Sequence, residues 1–284
     1  MTRWRNLERH RHSMAEIRNI MNSMKTLAFM ETRKLERFLD AQNAVVQSIE
    51  DVAADLLGFY PEALPEATGM TPVYLLIGSE RGFCGDFNHA LLKALELNVQ
   101  ADPPGQPMVI AIGRKLCTLL EGDARMMGQI DGANVAEEVA SVAHRLAGEL
   151  SSLQQHHHML TVQGIHHADE GNIAVQELLP PFRHYLGQGS HFAYPPMLNQ
   201  SPRDFLAELM DHYLFAALHR MLFTSLMAEN HQRVIHLEGA VKHLDSESSE
   251  LARKCHALRQ EEIIEEIEVI LLSASSLDEA RPGG

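Results

Sequence analysis

Proline and glycine are missing from long stretches of this chain. The first 57 residues contain neither, and the 79 residues from Arg203 to Arg281 contain no proline and a single glycine, Gly239. Such stretches exclude tight turns and frequent chain reversals, and they favour long helices. At ~1.5 Å rise per residue the two could reach roughly 85 Å and 118 Å. Cysteine is also scarce. Cys84, Cys117 and Cys255 are odd in number and lack metal-ligand spacing, which argues against a disulfide framework and fits buried thiols in a reducing compartment. There is no run of ~20 apolar residues and no apolar signal core at the N-terminus, so a soluble, non-secreted chain is expected. A net charge of −14 argues against a general nucleic-acid binder, which needs a concentration of Lys and Arg.

Heptads occupy the two long stretches. Counting from Leu7, one row reads Leu7, Met14, Met21, Ala28, Leu35, Gln42, Ile49, Leu56, and a second, three residues on, reads His10, Ile17, Met24, Glu31, Phe38, Val45, Val52. From Leu206 a comparable pair of rows runs through Tyr213, Met227, Val234 and Val241, and through Ala216, Phe223, Leu237, Leu244, Leu251 and Leu258. Sustained 3.5-residue spacing keeps one seam facing a partner helix, so the two ends are predicted to pair as a coiled coil. Near the C-terminus the apolar set changes phase to Ile263, Ile267 and Ile270, so that end should face something other than its N-terminal mate. Met and Ala are frequent in the seam, which suits a helix pair that tolerates several arrangements of neighbours. Arg3, Arg5, Arg9 and Arg11 make a basic start. The segment to Leu57 is otherwise a mixed solvated face with nine basic and eight acidic residues.

Between the helices the period changes. Pro61, Pro65, Gly69 and Pro72 mark a boundary. Val73 to Ile77 and Met108 to Ile112 read as buried strands, Lys115 to Leu120 and Val135 to Leu153 as helical, and Met159 to Ile165 as a further strand. The apolar pieces before Pro180 and around Phe192 would extend an edge. Strands alternating with helices predict βαβ units and a mostly parallel sheet. The expected fold is therefore α/β: a long antiparallel coiled coil of the N- and C-terminal helices (1–57 and 203–277) with a small Rossmann-like domain (70–195) between them. Residues 278–284 read as a disordered tail.

The turn Gly78 to Gly85 (GSERGFCG) is the sharpest local signal. A Gly-rich turn after a strand can cradle phosphate, but neither GxGxxG nor GxxxxGK[ST] is present. A tight turn that projects Arg81 and Phe83 and seats the next helix, with Asp86 or Asn88 as its cap, is the expectation. His156, His157 and His158 precede a strand and His166 and His167 follow it, roughly 20 Å away; they read as surface histidines and not a zinc site. No catalytic, cofactor-binding or metal-ligating set emerges.

Three segments resemble, in order, the motifs of the gamma subunit of F-type ATP synthases. Ile17 to Arg37 (IRNIMNSMKTLAFMETRKLER) is similar to the opening helix of that family, with Met24, Ala28 and the basic pair Arg33 and Lys34. Leu75 to Asn88 (LLIGSERGFCGDFN) is similar to its strand and [ST]-[DE]-RG-[LF]-CG-x-[LFY]-N turn. Ser225 to Arg233 matches SxxxExxxR, and Ala257 to Ile270 resembles ARQxxITxEIxEI. The resemblance implies a rotor: end helices forming a shaft inside a ring of three alpha and three beta subunits, and an α/β domain at the base against the epsilon subunit and the membrane c-ring. Ion flow turns the shaft, and ATP chemistry belongs to the beta subunits, so no cofactor is implied for this chain.

Under that resemblance Met24 and Lys25 would face a beta-subunit lever, Arg259, Gln260 and Glu266 would engage ring loops, and Arg33, Lys34 and Arg233 would be coupling residues. Arg81, Cys84 and Gly85 would shape the base domain. The setting implied is the cytoplasmic face of a bacterial inner membrane. Ile264 stands where the family usually has Thr, Glu261 and Glu262 add charge beside Arg259 and Gln260, and His243 replaces a commonly amide-bearing position, so a divergent or second-copy member is implied. The residues alone also permit a coiled-coil adaptor whose α/β domain binds a small ligand or a protein, with a ligand expected at Gly78 to Gly85.

Overall fold

A computed structural model describes residues 3–65, 71–101, 107–156, 160–168, 171–189 and 192–279. Two helices dominate it, α1 (Arg3–Phe59, 57 residues) and α5 (Pro202–Glu279, 78 residues). The sheet lies between them in sequence, as β1 (Thr71–Ile77), β2 (Met108–Ile112), β3 (Met126–Ile130), β4 (Leu160–His167) and β5 (Ile173–Leu179), with α2 (Phe87–Ala101), α3 (Arg114–Leu119) and α4 (Val139–His156) as connections. No helix among the described residues is long and apolar enough to cross a membrane. The chain divides into two compact units, one of residues 27–234 and one of residues 1–26 with 235–284.

In the larger unit the strand order is β3-β2-β1-β4-β5. The first four run parallel and β5 is antiparallel to β4. Burial on both faces explains the unbroken apolar runs of β1 and β2. Val73, Leu75, Ile77, Met108, Ile110 and Ile112 point into one core with α1, α4 and α5, while Tyr74, Leu76, Val109 and Ala111 point into another with α2 and α3. Gly164 of β4 lies under Met221 of α5; a Cβ there would come within 2.0 Å of the Met221 methyl, so glycine gives α5 its close approach to the sheet.

Leu35, Leu39, Val46, Ala53, Leu56 and Leu57 of α1 enter the first core, as do Tyr213, Ala216, Met221, Phe223 and Leu226 of α5. Phe38 and Phe223 stack at 5.5 Å between ring centroids. The seam differs from the expected one in a single respect. Its second row lies four residues beyond the first, at Leu39, Val46 and Ala53, whereas Phe38, Val45 and Val52 are exposed. Both rows are apolar, and packing against the sheet side selects one of them.

The smaller unit pairs the start of α1 with the end of α5 in antiparallel fashion. Arg18 Nε donates to Asp245 Oδ1 at 2.7 Å, and the Arg259 guanidinium lies 5.4 Å from the Trp4 ring centroid. Leu237 and Val241 are buried there with Met14, while Ile263, Ile267 and Ile270 are exposed, as their change of phase predicts.

Candidate functional site

The turn after β1 is held by one face of α5. Ser225, Glu229 and Arg233 recur every four residues and so project on one side of the helix. Ser225 Oγ donates to the Ile77 carbonyl at 3.0 Å. Glu229 accepts the backbone N–H of Glu80 on Oε2 and that of Arg81 on Oε1, both at 3.2 Å. Arg233 donates to Glu229, to the Gly82 carbonyl at 3.2 Å, to Asn230 Oδ1 at 2.8 Å and to Cys84 Sγ at 3.3 Å. Glu229 and Arg233 are 3% and 5% exposed. Charges so deeply buried persist only when paired and hydrogen-bonded, which both are. Burial pushes the Glu229 carboxyl above the usual range, against the pull of Arg233 and the two amides. Burial, reinforced by the charge of Glu229, pushes the Cys84 thiol up to about 12, which makes it an unreactive packing group.

A second carboxylate extends the network. Glu80 Oε2 accepts the N–H of Arg114 at 2.9 Å and of Gly132 at 2.8 Å, and Oε1 lies 3.1 Å from Arg114 Nη2. Asn88, expected as a helix cap, instead pins the turn: its Oδ1 accepts the Ser79 N–H and its Nδ2 donates to Ser79 Oγ, each at 2.9 Å. The exposed Arg81 reaches Asn134 Oδ1 at 2.7 Å, and Glu138 accepts the Asn134 N–H at 2.7 Å, which draws its carboxyl below the usual range. From α1, Glu31 accepts the Ala136 N–H at 2.7 Å and Lys34 pairs with Glu137. A continuous polar path therefore runs from α5 through the turn and the β3–α4 connection to α1. Its hydrogen bonds and ion pairs tie the turn and the β3–α4 connection to both helices.

The histidines after β4 are not on the surface. The strand continues two residues beyond its expected end, and His166 and His167 are buried. His167 stacks on Phe87 at 3.7 Å and its Nε2 lies 2.8 Å from the Phe87 carbonyl, so that nitrogen carries the proton. Burial, then the charge of Arg220 and then His167, lowers the His166 pKa to about 4. A base whose folded pKa lies below its unfolded value binds its proton in the unfolded state first, so its contribution to stability is lost as pH falls from about 6.5 toward 4. An NMR titration should find His166 still neutral at pH 6 and taking up its proton only near pH 4, and His166→Gln should remove up to about 1.4 kcal/mol per pH unit from the acid limb of urea unfolding. Of the other group, His157 and His158 lie outside the described residues.

The remaining residues singled out in the sequence are dispersed. Met24 and Lys25 are half-buried on α1, and Lys25 helps Lys242 lower the Glu238 carboxyl. Arg33 is exposed, 3.4 Å from Glu36. Arg259, Gln260 and Glu266 are exposed on α5. Gly85 takes a left-handed φ of 61° in the turn. Arg233, grouped with shaft residues in the sequence, is buried against the turn. Asn134, Glu31 and Glu137 were not singled out as site residues in the sequence; Glu80 had a signal in the [ST]-[DE]-RG turn, and Ser225 and Glu229 had one in the SxxxExxxR spacing.

The family model described as ATP synthase matches residues 3–277. The chain is similar to the ATP synthase gamma chain of Desulforamulus reducens, 24% identical over 96% of this chain and 99% of that one. It is likewise similar to the ATP synthase gamma chain of Caldanaerobacter subterraneus, 22% identical over 93% and 96%. Among solved structures, a chain of the Euglena gracilis mitochondrial ATP synthase OSCP/F1/c-ring assembly has the same fold, with TM-score 0.65, 16% identity and coverage of 99% and 96%. A chain of the Tetrahymena thermophila mitochondrial central stalk and c-ring shares it with TM-score 0.56, 15% identity and coverage of 78% and 99%.

Proposed function

The chain belongs to the gamma-chain family of ATP synthases, and from that premise we propose that it is the central rotor shaft of a rotary ATP synthase, catalytically silent by itself. The observation that carries this reading is the match to the family along residues 3–277, both long helices and the domain between them included. Torque from the membrane c-ring and the epsilon subunit enters the α/β domain. It passes to α5 through Ser225, Glu229 and Arg233 and to α1 through Glu31 and Lys34. The two helices then present different faces to three beta subunits in turn. Division into a shaft (1–57 with 203–277) and a base domain (70–195) follows that role. The complex is a membrane assembly to which this chain is peripheral, on the cytoplasmic side.

The decisive experiment is co-expression with ATP synthase alpha and beta subunits from the same organism, purification through a tag on beta, and native mass spectrometry. One copy per three alpha and three beta subunits is expected. A chain that remains folded and alone would overturn the rotor reading and restore the adaptor.

Met24 and Lys25 face a beta-subunit lever in this proposal, and Arg33, Arg259, Gln260 and Glu266 engage other parts of the ring. Met24→Lys places a cation on a half-buried helical position and should change stability by only about 1 kcal/mol. Ion-driven ATP synthesis by the assembled complex should nevertheless fall while its subunit ratio is unchanged. Wild-type synthesis by the variant would remove Met24 from the coupling path.

A further inference from the structure

The strand order β3-β2-β1-β4-β5 reverses direction between β1 and β4. In doubly wound folds that crevice, beside the first turn after β1, is where an anionic ligand rests on backbone N–H groups. Here the consecutive amides of Glu80 and Arg81 both point at one anion, the Glu229 carboxylate, one amide to each oxygen. Arg233 adds a guanidinium to Oε1. Two amides and an arginine around a planar oxyanion are the complement of a bidentate carboxylate ligand. Glu229 is 3% exposed, so the ligand is enclosed, and it is supplied from a residue 148 or 149 positions away.

We propose that the turn after β1 is an oxyanion-binding site whose resident ligand is the chain's own Glu229, and that a small free carboxylate takes the place when that side chain is removed. The site is independent of the rotor reading, since it is defined by the amides and by Arg233. It explains why a phosphate-type turn lacks the glycine spacing of nucleotide motifs: the anion it receives is short, planar and tethered.

Glu229→Ala in the full-length chain deletes the atoms of acetate, one methylene and the carboxylate. The variant's Tm should fall, and acetate should raise it by about 3 °C or more over sodium chloride at equal ionic strength. Wild type and Ser225→Ala, which loosens the same helix without vacating the anion position, should shift equally in acetate and chloride. Equal responses of Glu229→Ala to the two salts would overturn the proposal. If Glu229→Ala does not fold, Glu229→Gln retains the shape and loses the charge. Its Glu80 and Arg81 amides should then exchange with solvent about tenfold faster than in wild type, and unchanged exchange at both would equally overturn it.

Discussion

Arg233→Leu should destabilise the larger unit by about 3–5 kcal/mol, because it strands a buried carboxylate that keeps only two neutral amide donors. The side chain is 5% exposed, and Leu fills much of the apolar volume of its stem, so the cost is electrostatic more than steric. The sign of the pH dependence separates the two. With Arg233 gone nothing cationic opposes the burial that raises the Glu229 carboxyl. The folded state then holds a proton at pH values where the unfolded state has released it, and stability declines as pH rises through that interval. Urea unfolding of the variant should therefore show a larger deficit relative to wild type at pH 7.5 than at pH 5.5. A deficit independent of pH would mean that lost packing, and not an unpaired charge, is responsible. Adding Glu229→Leu to the variant should restore part of the loss, since removing both members of a buried pair costs less than removing one.

Gly113→Ala should be comparably severe, at about 3 kcal/mol or more, for a different reason. Gly113 ends β2 with φ of 101°, where an L-residue is strained by about 1–3 kcal/mol. A β-carbon there would also lie 2.6 Å from the Gly78 carbonyl oxygen and 2.8 Å from that of Ser79. Those atoms are backbone, and they begin the turn that carries the Glu80 and Arg81 amides, so the clash is relieved only by moving the anion site. Gly122 offers the control. Its φ is 89°, but a β-carbon there would have no neighbour within 4 Å, so Gly122→Ala carries the strain alone. The Tm loss in Gly113→Ala should exceed that in Gly122→Ala by several degrees. Equal losses would show that the turn has slack.

What the residues disclosed depended on how locally each feature is determined. β1 and β2 were legible because burial on both faces demands an unbroken apolar run. β3 was not: in MMGQI burial alternates along the strand, Gly128 interrupts it, and it lies at the sheet edge. The α1 seam was half legible, since Phe38 and Leu39 are both apolar and only the tertiary partner chooses between them. The fate of His166 and His167 turned on two extra residues of β4. In the site, the SxxxExxxR spacing announced that one face of α5 mattered. That its carboxylate would meet two backbone amides nearly 150 residues away is a property of the folded turn. Backbone donors have no residue identity, so no sequence motif could have named them.

The exposed isoleucines toward the end of α5 bear on how the chain is made. Ile263, Ile264, Ile267, Val269 and Leu271 are exposed, a density of apolar surface of the kind that marks a contact with another protein. A cell translating this chain ahead of that partner would accumulate material prone to self-association. Balanced synthesis, or early capture of the helix, would keep that apolar stretch of α5 from its own kind.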